Sequence, residues 1–447
     1  MNAPVTPPAI EVSNRRMLVL AVPMMLSHIT VPLLGLVDTV VIGQLGDAAL
    51  LGGVALGAIV FDLLFWTFGS LRMTTIAMTA QATGAGDRSE GERVLARALM
   101  LAFLIGAVMM LIQVPVMVFA RKFAGASPEV TAAMSSYFEV RIWSAPAALA
   151  NYVLAGALLG RGRSGLALAH QAIINLTNAG LSVVLVMGMK LGVPGVALGT
   201  AISEYLGVAL GVTLLLTLGV SFRPLLDRAS YARKAVIAAL ASNRDAAIRN
   251  AGLLMVFLLF TRTGARNGDI ALAANSVLQN LWLFGAYFLD GFATAAETLC
   301  GMAIGARARE TFRQAVRLAI VWSLGTGIVI GAVTILFGNA FIDFATANPE
   351  VRQAARSFLP YAALMPVLGA MAFAYDGIFI GANWTNALRN QMMIACAGFL
   401  VALWLLSGMG NQGLWLAFLI FMVLRGTIQA SMYPALAARA FPATPSR

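Results

Sequence analysis

Apolar runs of about 20 residues or more recur along almost the whole chain, the length that a helix rising 1.5 Å per residue needs to cross a bilayer. Twelve such spans are read, at 17–43, 48–82, 94–120, 129–159, 166–189, 193–218, 244–266, 270–304, 313–340, 353–381, 387–409 and 411–438. Composition agrees: the chain is 60% hydrophobic and 11% charged, with mean hydropathy +0.84. Soluble domains carry about a quarter charged residues. The expected fold is an all-α polytopic membrane protein with twelve transmembrane helices. The first run follows a polar N-terminus with no small-residue cleavage site after it, so it is read as a retained span and not a signal peptide.

A net charge of +11 and a pI near 10.3 invite a nucleic-acid reading. The positions of the charges argue against it. Twenty Lys and Arg residues fall in alternate connections and at the ends, among them Arg15, Arg88, Arg161, the group from Arg223 to Arg249, Arg307 to Arg317, and Arg389. Seven fall in the intervening connections, and Arg72, Arg141 and Arg425 lie inside spans. This is the positive-inside asymmetry, and it places both termini in the cytoplasm of a plasma (bacterial inner) membrane. Cys300 and Cys396 both sit in apolar runs, which gives no disulfide framework.

The two halves repeat. Gly46-Asp47-Ala48-Ala49-Leu50 recurs as Gly268-Asp269-Ile270-Ala271-Leu272, and Gly84-Ala85 as Gly305-Ala306. Pro146, Gly156 and Gly160 recur as Pro366, Gly377 and Gly381. An even number of spans per half makes this a parallel repeat, two six-helix bundles related by a pseudo-two-fold axis along the membrane normal. The expected division is an N-terminal lobe at 1–220, a cytoplasmic linker at 221–243 and a C-terminal lobe at 244–447. The polar stretch Ser221 to Asn250 reads as an interfacial or cytosolic linker helix.

One carboxylate, Asp38, lies in the first span. Pro32 removes the hydrogen bond to the carbonyl of His28, so Pro32 and Gly35 are read as a hinge. A membrane carboxylate is costly against lipid and belongs in a protein-lined or watery cavity, ionised or protonated. An acid beside a bendable point suits a proton-driven conformational switch; the bland alternative is an inert acid near the outer end of the span. The repeat aligns Asp38 with Phe260, so the acid is not part of the scaffold pattern.

The residues Val31 to Thr39, Leu71-Arg72-Met73, Arg141 to Asn151, Leu289 to Ala293 and Asp376 to Ala382 resemble the MATE (multidrug and toxic compound extrusion) family, in its DinF-like branch, over nearly the whole chain. The resemblance implies efflux of organic cations and other amphipathic compounds driven by inward H⁺, or less expectedly Na⁺, with no cofactor. It also implies a polar cluster around the first-span acid. Here Asn178 and Thr200 match that cluster, while Ser182 stands where the family has an Asp. Asn178 and Ser182 share a helix face.

Other residues are read both ways. Asp290 and Glu297 lie seven apart on one face of the eighth span, and Arg72 occupies the second. They form either a structural ion pair or a substrate and proton pathway. Asp376 in the tenth span is a candidate for coupling or substrate, while Asp62, Glu204 and Arg425 read as structural. Gly162-Arg163-Ser164-Gly165 followed by His170 fits a hydrolase motif, but Ser164 and His170 sit six apart and face different ways on a helix. No lysine precedes Ser or Thr as a Walker A loop requires, and no H-E-x-x-H is present.

The expected activity is therefore not enzymatic. It is secondary antiport with Asp38 as the protonation switch. The alternatives are a flippase or exporter of lipid-linked or anionic amphipathic cargo and, more distantly, an intramembrane hydrolase at Ser164. Expected partners are a small amphipathic substrate and the bilayer, with no nucleic acid and no bound metal, in a monomer.

Overall fold

The computed structural model describes residues 10–442, apart from the side chains of residues 31–34, 36 and 123. Among the described residues every regular element is helical, and the helices form twelve rods. These are α1 Asn14–Gly43, α2 Ala48–Gly84, α3 (88–124), α4 Pro128–Gly160, α5 Ser164–Gly188 and α6 Gly192–Thr217. The second set is α7 Arg233–Arg266, α8 Asp269–Gly305, α9 Arg309–Ala345, α10 Pro349–Gly381, α11 Thr385–Leu405 and α12 Gly410–Ala440. Ten of them, all but α1 and α8, carry segments long and apolar enough to cross a bilayer. The chain is a multi-pass membrane protein.

Short polar side chains start the rods. Asp47, Asp87, Ser127 and Asn348 each accept a bond from a first-turn backbone N–H, and Pro128 and Pro349 follow two of these caps where their missing N–H costs nothing. Breaks have local causes. In α4 a 3₁₀ turn, Ile142–Ser144, precedes Pro146, whose lost N–H cannot continue the ladder. The Pro32 hinge falls on a side chain outside those described, and the α1 backbone is helical throughout Asn14–Gly43.

Of the expected linker helix, Ser221 to Asn250, the second part is helical and the first is not. Residues 221–232 hold two 3₁₀ turns, Arg223–Leu225 and Arg228–Tyr231, and α7 then starts at Arg233, eleven residues ahead of the expected span. The turns are held down on α3: Arg97 donates to the Ser230 carbonyl at 3.1 Å, and Glu92 accepts from the Ser221 N–H at 2.9 Å.

The sequence repeat is a repeat of contacts. A Cβ on Gly84 would fall 1.9 Å from the Met302 carbonyl oxygen, and one on Gly305 would fall 1.9 Å from that of Gln81. The pair of contacts is reciprocal, with α2 and α8 crossing backbone to backbone. Gly106 against Pro146 and Gly327 against Pro366 repeat one helix packing, each with a Cβ approach of 2.5 Å. Backbone conformation repeats even where glycine does not. Gly86 (φ +69°) and Gly162 (φ +69°) correspond to Arg307 (φ +52°) and Asn383 (φ +58°), all left-handed. The Arg163 N–H bonds to the Leu158 carbonyl at 3.0 Å and the Trp384 N–H to that of Phe379 at 2.8 Å, the same helix-ending turn in each half.

By packing, the chain forms two compact units. Among the described residues one holds 10–25, Ala80–Gly86 and 244–442; the other holds Leu26–Thr79 and Asp87–Asn243. Packing therefore assigns the start of α1 and the end of α2 to the unit of the second half. That unit has an aromatic core in which Phe260 meets Trp415 and Phe418 at centroid distances of 5.2 and 5.0 Å.

Candidate functional site

The unit beginning at Leu26 carries a polar seam where α1 and α5 meet. Gln171, Asn175, Asn178 and Ser182 are spaced 4, 3 and 4 residues apart and so line one face of α5. At the lower level Gln171 Nε2 donates to Asn175 Oδ1, and Asn175 Nδ2 donates to Thr30 Oγ1, both at 2.9 Å. Two turns on, the Ser182 hydroxyl lies 2.9 Å from Asp38 Oδ1 and 3.2 Å from Asn178 Oδ1. Asp38 is half-buried, Ser182 is fully enclosed, and the Asn178 Nδ2 amide is buried without a partner among the described residues.

The chemistry of this triplet follows from counting protons. Ser182 has one O–H and two acceptors in reach, so it donates to one at a time. With Asp38 ionised, the hydroxyl goes to the carboxylate. With Asp38 protonated, the acid can donate to Ser182 Oγ, releasing that hydroxyl to Asn178. Gain or loss of one proton thus rearranges bonds between α1 and α5. Thr200 stays outside the triplet, since its hydroxyl is bonded to the Val196 carbonyl of its own helix at 3.0 Å. The resemblance groups it with Asp38; a threonine in a helix has a backbone acceptor one turn back.

Nearby in the same unit, Asn151 Nδ2 on α4 donates to Glu204 Oε2 on α6 at 2.7 Å, with Arg141 Nη2 3.9 Å from Glu204 Oε1. Arg72, on α2 of the same unit, is half-buried. His170, the second half of the hydrolase motif, places Nε2 3.0 Å from the Gly207 carbonyl of α6, a packing contact.

The second-half unit is arranged differently. Asp376 is 4% exposed and fully bonded: Oδ2 accepts from Arg249 Nη2 and from Arg425 Nη2, the latter at 2.6 Å, and Oδ1 accepts from Gln429 Nε2 at 2.6 Å. α10 is thereby tied to α7 and α12. Arg249, assigned by sequence to a basic connection, is buried in α7, and Gln429 had no sequence signal apart from its span. Asp290 is half-buried on α8, and Glu297, about two turns along the same face, is 5% exposed. Where Asp38 stands in the first half, the second half has Phe260 in its aromatic core.

The family model of MatE matches residues 23–185 and again 246–406, one match in each half. A relative from Escherichia coli, DNA damage-inducible protein F, is 38% identical over 94% of this chain and 92% of its own. The chain belongs to the MatE family. Other relatives agree with the membership. A probable multidrug resistance protein NorM from Bradyrhizobium diazoefficiens is 28% identical over 90% of this chain and 89% of its own. Among solved structures, an outward-facing multidrug resistance MATE transporter superposes with TM-score 0.84 at 18% identity, covering 95% of this MatE chain and 96% of that one. A Vibrio cholerae MATE transporter in its bent form gives 0.85 at 19% identity, with 95% and 97% covered. At these identities the structures establish the twelve-helix MATE fold. The names of the Bradyrhizobium relative and of the two solved structures are those of multidrug resistance and transport proteins.

Proposed function

We propose that this MatE protein is a secondary antiporter of a bacterial inner membrane. It exports organic cations or other amphipathic compounds in exchange for H⁺, with both termini in the cytoplasm. The observation that carries the reading is the Asp38–Ser182–Asn178 triplet. It joins two helices through a hydroxyl that must choose between acceptors, so its bonding depends on whether Asp38 holds a proton. The contrasting acid, Asp376, already faces two guanidinium groups and accepts a third bond from Gln429, so its charge is answered within the protein. Proton and cargo need only favour different conformations of the two lobes for one to drive the other, because a ligand shifts an equilibrium by its differential affinity.

Na⁺ is the weaker candidate. Among the described residues the side-chain oxygens bonded into the Asp38 cluster are those of Ser182 and Asn178, and hard cations collect more oxygen ligands than that. A half-buried guanidinium inside a span, Arg72, supports a second reading in which the cargo is an anionic or lipid-linked amphiphile.

Reconstitution in liposomes with separately imposed pH and Na⁺ gradients decides between these. A cationic, a neutral and an anionic amphiphile are offered in turn. The proposal expects a pH gradient alone to drive uptake, and Asp38→Asn to abolish it in a folded protein. Equal uptake without any gradient contradicts it.

A further inference from the structure

The unit that holds Asp38 also holds a cation whose ion pair among the described residues is a loose one, Arg141 with Glu204 at 3.9 Å. Arg141 sits at the end of the first segment of α4, 8% exposed, with Nη1 donating to Ser144 Oγ. Its guanidinium carbon lies 5.3 Å from the ring centroid of Phe61 and 5.4 Å from that of Phe65, both on α2. Those rings stack at 5.6 Å, and Phe61 also stacks on Phe138 at 5.0 Å, which fixes the platform in place. The carboxylate oxygen paired with Arg141 is Glu204 Oε1, and it stays at 3.9 Å, beyond hydrogen-bond distance. Glu204 spends its other oxygen on Asn151. Asp38 on α1 and Asp62 on α2 both lie within the field of the Arg141 charge, as do Tyr137 on α4 and Tyr152 further along the same helix.

The comparison with Asp376 sharpens the point. There the guanidinium groups and the carboxylate are in direct contact and lock one another. Arg141 is instead held by a hydroxyl and two aromatic faces, and its charge acts across space. A buried guanidinium attracts anions and repels cations over several ångströms when water is scarce. An aromatic pair that seats one monovalent cation would seat another of similar size, because the attraction comes from the ring quadrupole and not from the identity of the ion.

Taking the transport reading as its base, we propose that Arg141 is the resident counter-cation of this lobe and sets the charge class of its cargo. It answers the negative charge of Asp38 and Asp62 and occupies the Phe61–Phe65 platform, so among the amphiphiles the protein carries, a permanent lipophilic cation is bound more weakly than it would be without this residue. Zwitterionic and anionic amphiphiles are admitted more readily. The residue acts by position and charge, and carries no proton in the cycle.

Tetraphenylphosphonium and tetraphenylborate are probes of nearly equal size and opposite charge, which isolates the charge effect. Binding of each is measured calorimetrically on the purified full-length protein, wild type and variants, without any gradient. Arg141→Gln and Arg141→Met remove the charge. The methionine stem keeps contact with both rings, so the two variants are exposed to misfolding for different reasons. Removing one interior charge should raise the phosphonium-to-borate affinity ratio about tenfold or more, while Arg141→Lys should keep the wild-type ratio. An unchanged ratio in the neutral variants overturns the proposal. So does an equal rise in Arg141→Lys, or a wild type that binds neither probe. Gradient-driven uptake on the same preparations separates this from the antiport reading. A shifted ratio without antiport removes the latter alone, and intact antiport with an unshifted ratio removes only the role of Arg141.

Discussion

Asp376→Asn should weaken the fold far more than it weakens coupling. In the native protein the carboxylate takes bonds from Arg249, Arg425 and Gln429 inside a packed bundle. Removing the charge leaves two guanidinium groups facing each other with no anion in contact. Breaking a buried pair in this way costs about 3–5 kcal/mol, because the desolvated partner remains. Arg249→Met is milder: Asp376 keeps Arg425 and Gln429, each at 2.6 Å, so roughly half of that cost, about 2 kcal/mol, is expected. Replacing Arg249, Asp376 and Arg425 together by Met, Leu and Met should restore most of the loss, since no unpaired charge is left buried. Thermal unfolding in detergent, followed by intrinsic tryptophan fluorescence, reads the order directly, with a fall of about 3–8 °C for Asp376→Asn. Proton-driven uptake, measured below the unfolding range and per folded molecule, should persist. An Asp376→Asn protein of wild-type stability that has lost proton-driven uptake would refute the reasoning and make Asp376 a coupling acid.

Three further outcomes follow from the geometry. Ser182→Ala removes the hydroxyl shared by Asp38 and Asn178, and at about 1–1.5 kcal/mol per hydrogen bond uptake efficiency should fall about tenfold; Ser182→Thr should keep most of it, as initial-rate assays would show. Gly84→Ala and Gly305→Ala each drive a methyl into a backbone carbonyl 1.9 Å away, so the α2–α8 crossing must open and thermal stability should drop by about 1–3 kcal/mol or more. Arg307→Gly relieves a left-handed residue at φ +52° and should stabilise by roughly 0.5–1 kcal/mol after the entropy cost of glycine, visible as a higher unfolding temperature.

Much of this architecture is legible in the sequence, for physical reasons. Hydropathy marks spans because lipid tolerates few charges: nine of the twelve expected runs fall within their rods, and the other three, 166–189, 193–218 and 387–409, overrun the rod's end by one to four residues. The repeat is visible because Gly84, Gly156, Gly305 and Gly377 stand where a Cβ would run into the backbone carbonyl of a neighbouring helix. Asp38 is conspicuous as the acid of an apolar run, and the missing acid opposite it, Phe260, is visible from the same alignment of halves. Arg249 is misplaced by sequence because charge counting treats every arginine near a polar stretch as a loop residue. Its partner lies 127 positions away on another helix. Arg141 is equally opaque: Phe61 and Phe65 look like ordinary apolar positions until α2 and α4 are brought together. The early start of α7 is hidden because Arg233 and Lys234 read as connection, although both propagate a helix well.

The most direct test is proton movement driven by cargo. Vesicles containing the reconstituted protein and a trapped pH-sensitive dye are given a cargo gradient across an otherwise equilibrated membrane. The wild-type protein should move protons against the direction of cargo flow, and Asp38→Asn, equally folded and inserted, should move none. Cargo-driven proton flux that survives in Asp38→Asn would contradict the assignment of the switch.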